Sequence, residues 1–298
     1  MSSTRRAYAA LVAVSLIWGT TYLGIRIALE SIPPFTMAAA RWLVSGGLLA
    51  LFLRLRGERL PPRRSWRALA VLGLLLLGFG NGGVVWAERT VPSGLTAVLV
   101  AASPFWMVGV EACMPSGETV KRRQLVGLLV GFAGIVLLVW PELHVPAQDA
   151  SGFLNGVVGT QLACLGWAIG SAYSRRHAPE ANVLAATSYE MLFGGLFLLA
   201  AAVVRRELDP AAAFTPRSVA AVGYLILIGG IAGFSSYAYA LKHLPVATVS
   251  LYAYVNPIIA VVLGVIVLHE AFNVRMAVAA AVVLAGVVLV RQAPAPAS

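Results

Sequence analysis

Long apolar runs separated by short polar stretches fill this chain of 298 residues. A bilayer core about 30 Å thick requires about 20 apolar residues per crossing helix. A β-barrel would instead show alternation over about ten residues, which continuous runs such as Leu74 to Leu77 contradict. The pattern predicts an all-α membrane protein with ten transmembrane helices, at residues 7–25, 35–53, 68–87, 92–112, 124–140, 153–172, 183–204, 218–241, 245–268 and 275–290.

The same pattern occurs twice. Matching residues recur at separations of 149 to 153 positions, as in the pairs Trp18 and Trp167, Pro92 and Pro245, Pro104 and Pro257, Glu118 and Glu270, Gly134 and Gly286. Because each copy holds five spans, an odd number, the second copy must enter the membrane from the opposite side. We therefore predict two inverted five-helix repeats, 1–142 and 143–298 with a short C-terminal tail. This construction is typical of secondary transporters that bind substrate where the repeats meet.

Composition supports a protein embedded in the lipid bilayer. Hydrophobic residues make up 59% of the chain and charged residues 11%, and the mean hydropathy is +0.84. The net charge of +10 does not indicate a nucleic-acid partner. With a cytoplasmic N-terminus, 15 of the 22 Lys and Arg residues lie on the cytoplasmic side, six lie opposite, and Arg41 lies inside a span. This asymmetry follows the positive-inside rule and predicts a multi-pass inner-membrane protein with both termini in the cytoplasm.

Two prolines lie near the middle of matching spans. Pro104 follows Ser103 in span four, and Pro257 follows Asn256 in span nine. Each proline frees a backbone carbonyl that must find another partner in lipid. Two interpretations are open: a neighbouring hydroxyl or amide satisfies the carbonyl, or the kinked helices line a central cavity. Their occurrence at matching positions favours the cavity.

Spans three and eight are rich in glycine and carry aromatic side chains. Small residues let helices pack closely in lipid, and they also leave volume for a ligand. Tyr252 and Tyr254 are two residues apart, about 200° around a helix, so they cannot both face one cavity. Deeply placed aromatic rings suit a flat or cationic ligand. The rings predicted to lie deep are Trp18, Trp167, Tyr237 and Tyr254.

Two charged residues lie inside spans, Arg41 in span two and Glu190 in span seven, 149 positions apart. A charge at the bilayer centre costs about 2.5 to 3.5 kcal/mol on insertion scales, so such residues are rare. Three interpretations are open. The two residues pair with each other, each meets a substrate group, or they form a structural pair near the interface, which the long arginine side chain can reach.

Signatures of catalysis and of metal or cofactor binding are missing from the sequence. It has no Walker loop, no His-Glu-x-x-His pair and no Gly-x-Ser-x-Gly elbow. Its two cysteines, Cys113 and Cys164, lack metal-ligand spacing. We predict that the chain is not an enzyme and takes no metal or cofactor, with a membrane receptor or membrane enzyme as the alternative of a different class.

Several short motifs together resemble the drug/metabolite transporter superfamily, and within it the EamA-like family. They are Leu16-Ile17-Trp18-Gly19, Pro92, Ser103-Pro104, Asn256-Pro257, and the pairs Gly117-Glu118 and His269-Glu270, where His269 replaces a more usual glycine. The resemblance covers residues 7–291. The tracts 81–89 and 235–254 are most similar to the branch of aromatic amino acid exporters.

The resemblance implies an inner-membrane carrier in which spans one, three, four, six, eight and nine surround the pathway. Spans five and ten would be peripheral, in a monomer or homodimer. Carried over residue by residue, it implies that substrate contacts Trp18, Asn81, Trp86, Ser103, Trp167, Tyr237, Tyr254 and Asn256.

We therefore predict a secondary carrier that exports aromatic or other bulky neutral amino acids by alternating access. The alternative transport function is efflux of hydrophobic cations, with Glu190 as the counter-charge, or of other small metabolites. The exact substrate, ion coupling, direction of transport and oligomeric state do not follow from the sequence.

Overall fold

The computed structural model describes residues 3–114, 122–140, 147–177, 182–209, 213–244 and 252–291. Within these ranges all regular structure is helical and no strand occurs, which confirms the all-α prediction. The α-helices are α1 Ser3–Ala28, α2 Pro34–Leu55, α3 Trp66–Leu72, α4 Gly82–Ala87, α5 Ser93–Val100, α6 Ser103–Cys113, α7 Arg122–Val139, α8 Ala147–His177, α9 Val183–Val204, α10 Pro216–Tyr224, α11 Gly233–His243, α12 Tyr252–Leu268 and α13 Val274–Arg291.

Seven helical stretches are long and apolar enough to cross a membrane. They are Arg5–Ala28, Pro34–Leu55, Arg63–Ala87, Ser93–Val110, Ala150–Ser174, Val183–Val204 and Pro216–Tyr237. Three shorter apolar helices follow the same pattern: Leu125–Leu138, Val255–Leu268 and Val274–Gly286. Each predicted span overlaps one of these stretches, while the count of ten crossings stays a prediction.

The outer surface of the bundle is apolar. Leu55 is 78% exposed, Phe132 64% and Val204 80%, and many other large apolar side chains of the described helices are exposed. A water-soluble monomer rarely exposes large contiguous apolar patches. These side chains therefore face lipid.

Two wide-turn π segments interrupt helices that the hydrophobic pattern predicts to be regular. The first, Gly73–Asn81, joins α3 to α4, and the second, Leu225–Ala232, joins α10 to α11. π turns are rare, usually limited to a single turn, and frequent at functional sites. Both segments occupy the glycine-rich parts of spans three and eight, at matching places in the two halves of the chain.

The two prolines have different effects on their helices. Span four is broken, with α5 ending at Val100 and α6 starting at Ser103 just before Pro104. In contrast, α12 continues through Pro257 from Tyr252 to Leu268. The structure therefore divides the helix at Pro104 and not at Pro257, while a kink at each proline stays a prediction.

Helices from one half of the chain pack mainly on helices from the other half. Matching helices face each other, α2 against α9 and α7 against α13. Likewise α1 packs on α11 and α12, while α8 packs on the first π segment, α4, α5 and α6. Glycines permit the closest approaches: a Cβ on Gly46 would lie 2.7 Å from the Ser188 carbonyl oxygen, and one on Gly134 would lie 2.8 Å from the Val283 nitrogen.

A carboxylate from the second half caps a helix of the first half. Glu270 accepts hydrogen bonds from the backbone N–H groups of Ser93 at 2.9 Å and Gly94 at 3.3 Å, at the N-terminus of α5. Anionic groups are favoured there because the first N–H groups of a helix lack backbone partners. The preceding His269 has φ of 54°, in the left-handed region that favours glycine. That backbone conformation explains why glycine is the more usual residue at this position.

Candidate functional site

A cavity lies between the two halves of the chain, enclosed by helices of both. Its walls come from α1, α2, the first π segment, α4, α5, α6, α8, α11 and α12. The volume open to the centre of a water-sized sphere is about 160 Å³. By the same measure a single water needs only about 10 to 15 Å³, so the cavity has room for a small organic molecule.

Five of the eight predicted substrate-binding residues line this one cavity. They are Trp18, Asn81, Ser103, Trp167 and Asn256. They come from α1, the first π segment, α6, α8 and α12, so the fold brings together side chains that are far apart in the sequence. Their shared location is a structural finding, and contact with substrate stays a prediction.

Two other predicted residues lie outside the cavity wall. Trp86 on α4 is half-buried and packs on α8, where a Cβ on Gly159 would lie 2.7 Å from its ring. Tyr237 on α11 lies behind Trp18, with ring centroids 5.1 Å apart. Trp86 therefore contributes to the packing of α4 on α8, and Tyr237 packs behind Trp18 without lining the cavity. The side chain of Tyr254 lies outside the described part of the structure.

Tyr252 on α12 reaches the cavity. Its ring meets Trp18 edge-on, with centroids 5.1 Å apart, and also contacts Tyr237 at 5.9 Å. The prediction that Tyr254 contacts substrate stays a prediction, because its side chain lies outside the described part of the structure.

Sequence reasoning missed two buried aromatic residues of the wall, Tyr22 and Trp42. Tyr22 lies four residues after Trp18 and therefore on the same face of α1, a spacing that would have identified it. Trp42 is 1% exposed, and its indole N–H donates to Asn81 Oδ1 at 2.8 Å. For Trp42 the sequence contains only a weak indication, its position next to the intramembrane residue Arg41.

Each proline site has a polar side chain that binds a nearby carbonyl. The Ser103 hydroxyl donates to the Val100 carbonyl at 2.6 Å. With its amide nitrogen turned toward the carbonyls, Asn256 donates to Tyr252 O at 3.0 Å and to Ser15 O at 2.9 Å. Ser103 therefore satisfies the carbonyl that Pro104 frees. Asn256 instead binds carbonyls other than that of Ala253, which Pro257 frees. Both side chains also line the cavity.

Arg41 and Glu190 occupy different surroundings. Arg41 is 2% exposed, and its side chain lines the cavity. Glu190 is half-buried on α9, outside the cavity lining. Among the described residues no hydrogen bond or ion pair joins the two. Of the three open interpretations, their mutual pairing is therefore not what the structure shows.

A second charged group is buried where α4 ends. Glu88 is 0% exposed, and neither of its carboxylate oxygens has a hydrogen-bond partner among the described residues. The Arg26 guanidinium donates instead to the backbone carbonyl of Glu88. The described chain contains no cluster of three or more His, Cys, Asp or Glu side chains able to hold a metal ion.

The helical bundle has an apolar surface and a cavity between its two matching halves, lined by aromatic rings and a few polar side chains. This is the construction of a membrane transporter. The sequence pattern that defines the EamA-like transporter family matches residues 5–140 and again residues 154–292. The chain belongs to the EamA-like transporter family. It is a multi-pass membrane protein built from the two repeats of that family.

Several similar proteins are named as transporters. The chain is 39% identical over 260 residues to the uncharacterized inner membrane transporter YedA of Escherichia coli K12, covering 86% of this chain and 81% of YedA. It is 28% identical to a chloroplastic WAT1-related protein of Arabidopsis thaliana, with 94% of this chain and 68% of that protein aligned. The uncharacterized transporter YoaV of Bacillus subtilis is 23% identical over 93% of this chain and 94% of its own length.

One crystal structure of a protein matches with a TM-score of 0.65 at 20% identity, covering 97% of this chain and 96% of that chain. This likeness supports the fold alone. The family resemblance predicted from the motifs is confirmed. The closer similarity to aromatic amino acid exporters is not, since the relatives above are YedA and other transporters without an assigned amino acid substrate.

Proposed function

We propose that this transporter exports amino acids with aromatic or other bulky neutral side chains across the inner membrane. The observation that carries the proposal is the aromatic wall of the cavity. Trp18, Trp42, Trp167, Tyr22 and Tyr252 all reach it. Aromatic rings pair favourably with a flat side chain, and the few polar groups among them would orient the rest of the molecule.

The proposed mechanism is alternating access between two inverted repeats, 1–142 and 143–298. The cavity lies between the halves of the chain, which is where carriers of this construction bind substrate. The paired π segments provide places where helix geometry can change during rocking. In the proposed topology both termini lie in the cytoplasm, in agreement with the distribution of Lys and Arg, and the name of YedA supports the inner membrane.

Efflux of hydrophobic cations is less well supported by the geometry. That function predicts a carboxylate in the binding site, but Glu190 lies outside the lining of the cavity. Arg41 places a positive charge in the wall instead. A cation entering this space would meet like charge in surroundings of low dielectric, which is unfavourable.

Flux measurements in liposomes test the proposal directly. We expect purified protein to catalyse saturable uptake of labelled Phe and Trp, more weakly of Met, and least of Thr, because the aromatic wall favours larger rings. Each measurement is made with and without a pH gradient to detect proton coupling. Empty liposomes and liposomes with heat-denatured protein set the background.

Glu190→Gln separates the two transport functions. An amino acid carrier with the cavity described here retains its flux in this variant, whereas a cation carrier that relies on Glu190 loses it. Folded protein that moves none of the four amino acids above background would refute the proposed substrate and leave the family membership intact.

A further inference from the structure

Arg41 is a charged residue of the cavity wall, and part of its guanidinium has no hydrogen-bond partner among the described residues. It lies on α2 with 2% of its surface exposed, and its guanidinium reaches the cavity. Neither Nε nor Nη1 has a hydrogen-bond partner among the described residues. An arginine keeps its proton in proteins, so this site holds a permanent positive charge.

A buried charge of this kind is costly unless something compensates it. A charge at membrane depth is unfavourable, and such residues generally pair or mark a pathway. Glu88 and Glu190 form no ion pair with Arg41 in the described structure. The ring of Trp42, 4.4 Å from the guanidinium carbon, provides a cation–π contact but no hydrogen-bond acceptor.

The second π segment packs closely beside the guanidinium. On the side of the second π segment lies Gly229, where a Cβ would be only 3.3 Å from Arg41 Nη2. The nearby Thr21 hydroxyl donates to the Trp18 carbonyl at 2.7 Å. Gly229 lets the second π segment approach the arginine closely, and Glu88 is near enough to interact with Arg41 electrostatically but forms no hydrogen bond with it.

Three polar side chains of the cavity are already engaged in bonds within the protein, whereas the indole N–H of Trp167 has no partner among the described residues. Asn81 Oδ1 accepts from Trp42, Ser103 donates to the Val100 carbonyl, and Asn256 is placed to bind two carbonyls. No Asp or Glu occurs among the described residues that line the cavity. The wall therefore provides strong recognition for an anionic group and none of comparable strength for an ammonium group.

We propose that Arg41 binds the carboxylate of the transported molecule through paired N–H···O hydrogen bonds, with the aromatic wall around the remainder. The planar guanidinium matches a carboxylate in this way, and such charge-assisted bonds are the strong ones. This inference rests on the proposed function and sharpens it. The carboxylate is essential for recognition, and the α-amino group is dispensable.

Three ligands that differ only in these groups test the inference. Phe carries both groups, 3-phenylpropanoate lacks the amine, and 2-phenylethylamine lacks the carboxylate. Binding to purified protein is measured by tryptophan fluorescence and thermal shift, and competition is measured against labelled Phe in liposomes. We expect 3-phenylpropanoate to bind within about tenfold of Phe, and 2-phenylethylamine to bind at least about 100-fold more weakly, as expected for loss of a charged hydrogen-bond pair.

Variants locate the effect at Arg41. Arg41→Gln should weaken 3-phenylpropanoate binding by about 10- to 100-fold, and Arg41→Lys should weaken it less because the charge remains without the planar fork. Arg54→Gln, at an exposed arginine in the last turn of the same helix, serves as the matched control and should bind like wild type. Gel filtration and thermal unfolding verify that each variant is folded.

The outcomes separate this inference from the proposed function. Binding of 3-phenylpropanoate that depends on Arg41, together with absent Phe flux, would refute amino acid export and support the carboxylate site. Phe flux that is unchanged in Arg41→Gln would refute the carboxylate site and support export. If Arg41→Gln does not fold, the wild-type ligand series decides: equal binding of 2-phenylethylamine and Phe, or no binding of 3-phenylpropanoate, overturns the inference.

Discussion

Trp18 and Trp167 occupy matching places in the two halves of the chain, and each lies against a glycine of the opposite half. Trp18 on α1 packs on Gly233, and Trp167 on α8 packs on Gly80. The two glycines are themselves 153 positions apart, the same separation as the matched prolines. The duplication therefore preserves a contact between the halves as well as individual residues.

The surroundings of the two rings nevertheless differ. Trp18 is 9% exposed, and its indole N–H donates to the Gly229 carbonyl at 3.3 Å. The rings of Phe234, Tyr237 and Tyr252 lie around it, each with its centroid 5.1 Å away. Trp167 is half-buried, and its indole N–H has no partner among the described residues.

This difference indicates separate roles within one cavity. A ring that is enclosed and hydrogen-bonded forms a fixed wall, since moving it would leave a carbonyl unpaired in lipid surroundings. A half-buried ring with an unpaired N–H can rotate and bond a ligand. Duplicated sequence thus provides the same scaffold twice, while the local neighbours determine which copy is rigid.

Replacing each tryptophan by alanine should give the largest difference in stability and transport between the two halves. Trp18→Ala should lower the free energy of unfolding by about 3 to 5 kcal/mol, as for other buried aromatic residues. Trp167→Ala should cost about half as much stability but abolish most transport, because it removes an exposed face of the cavity. Unfolding in detergent micelles and flux in liposomes measure the two quantities separately.

Phe132→Ala is the control for ring removal, because Phe132 on α7 is 64% exposed on the outer surface. It should change neither quantity much. Equal destabilisation by Trp18→Ala and Trp167→Ala would contradict the distinction between a fixed and a free ring.

A smaller difference is expected at the two glycines. A Cβ on Gly233 would lie 2.6 Å from Trp18 Nε1, whereas one on Gly80 would lie 3.2 Å from Trp167 Cε3. Because Trp18 is held in place, Gly233→Ala should cost about 1 to 3 kcal/mol of stability, as overpacking does. Gly80→Ala should cost less than about 1 kcal/mol, since Trp167 can shift. Unfolding midpoints of the two variants provide the comparison.

Gly223→Ala gives the baseline for both, because a Cβ at Gly223 on α10 meets nothing within 4 Å. All three changes add the same helix propensity, so subtracting this baseline isolates the steric contribution. A Gly80→Ala variant less stable than Gly233→Ala would show that the first half is the tighter one.

The pattern of apolar runs and repeated residues was sufficient to predict the helical membrane fold and the transporter family. Five of the residues named from the sequence line one cavity, while their contact with substrate stays a prediction. Apolar runs and repeated residues are defined by spacing along the chain alone, so they can be read directly from the sequence.

Details that depend on how helices are placed against each other did not follow. The change from α to π geometry in the glycine-rich segments leaves no periodic signal, since the side chains remain apolar throughout. Span four is divided at Pro104, whereas α12 continues through Pro257, a difference that the matching proline positions do not reveal. The wall position of Tyr252 did not follow from the sequence for a similar reason, as depth in a span does not fix the rotation of a helix.

The smallest and most specific test removes the indole N–H while keeping an aromatic ring. Trp18→Phe should cost about 1 kcal/mol more stability than Trp167→Phe, since only the former leaves the Gly229 carbonyl without its donor. Trp106→Phe is a useful reference, because Trp106 donates to Gln161 Oε1 at 2.9 Å and loses a comparable bond. All three variants lose the same ring volume, so the differences in unfolding midpoint report mainly on the hydrogen bonds.

Transport by the same variants completes the comparison. If the free indole N–H of Trp167 bonds substrate, Trp167→Phe should raise the KM for Phe several-fold. Its free energy of unfolding should fall only by the amount expected for the smaller ring, to within about 0.5 kcal/mol. Trp18→Phe should change stability more than KM, because its N–H is already bonded within the protein. The opposite result would be a larger change in KM for Trp18→Phe and a larger loss of stability for Trp167→Phe. It would mean that Trp18, and not Trp167, is the ring that adapts to the ligand.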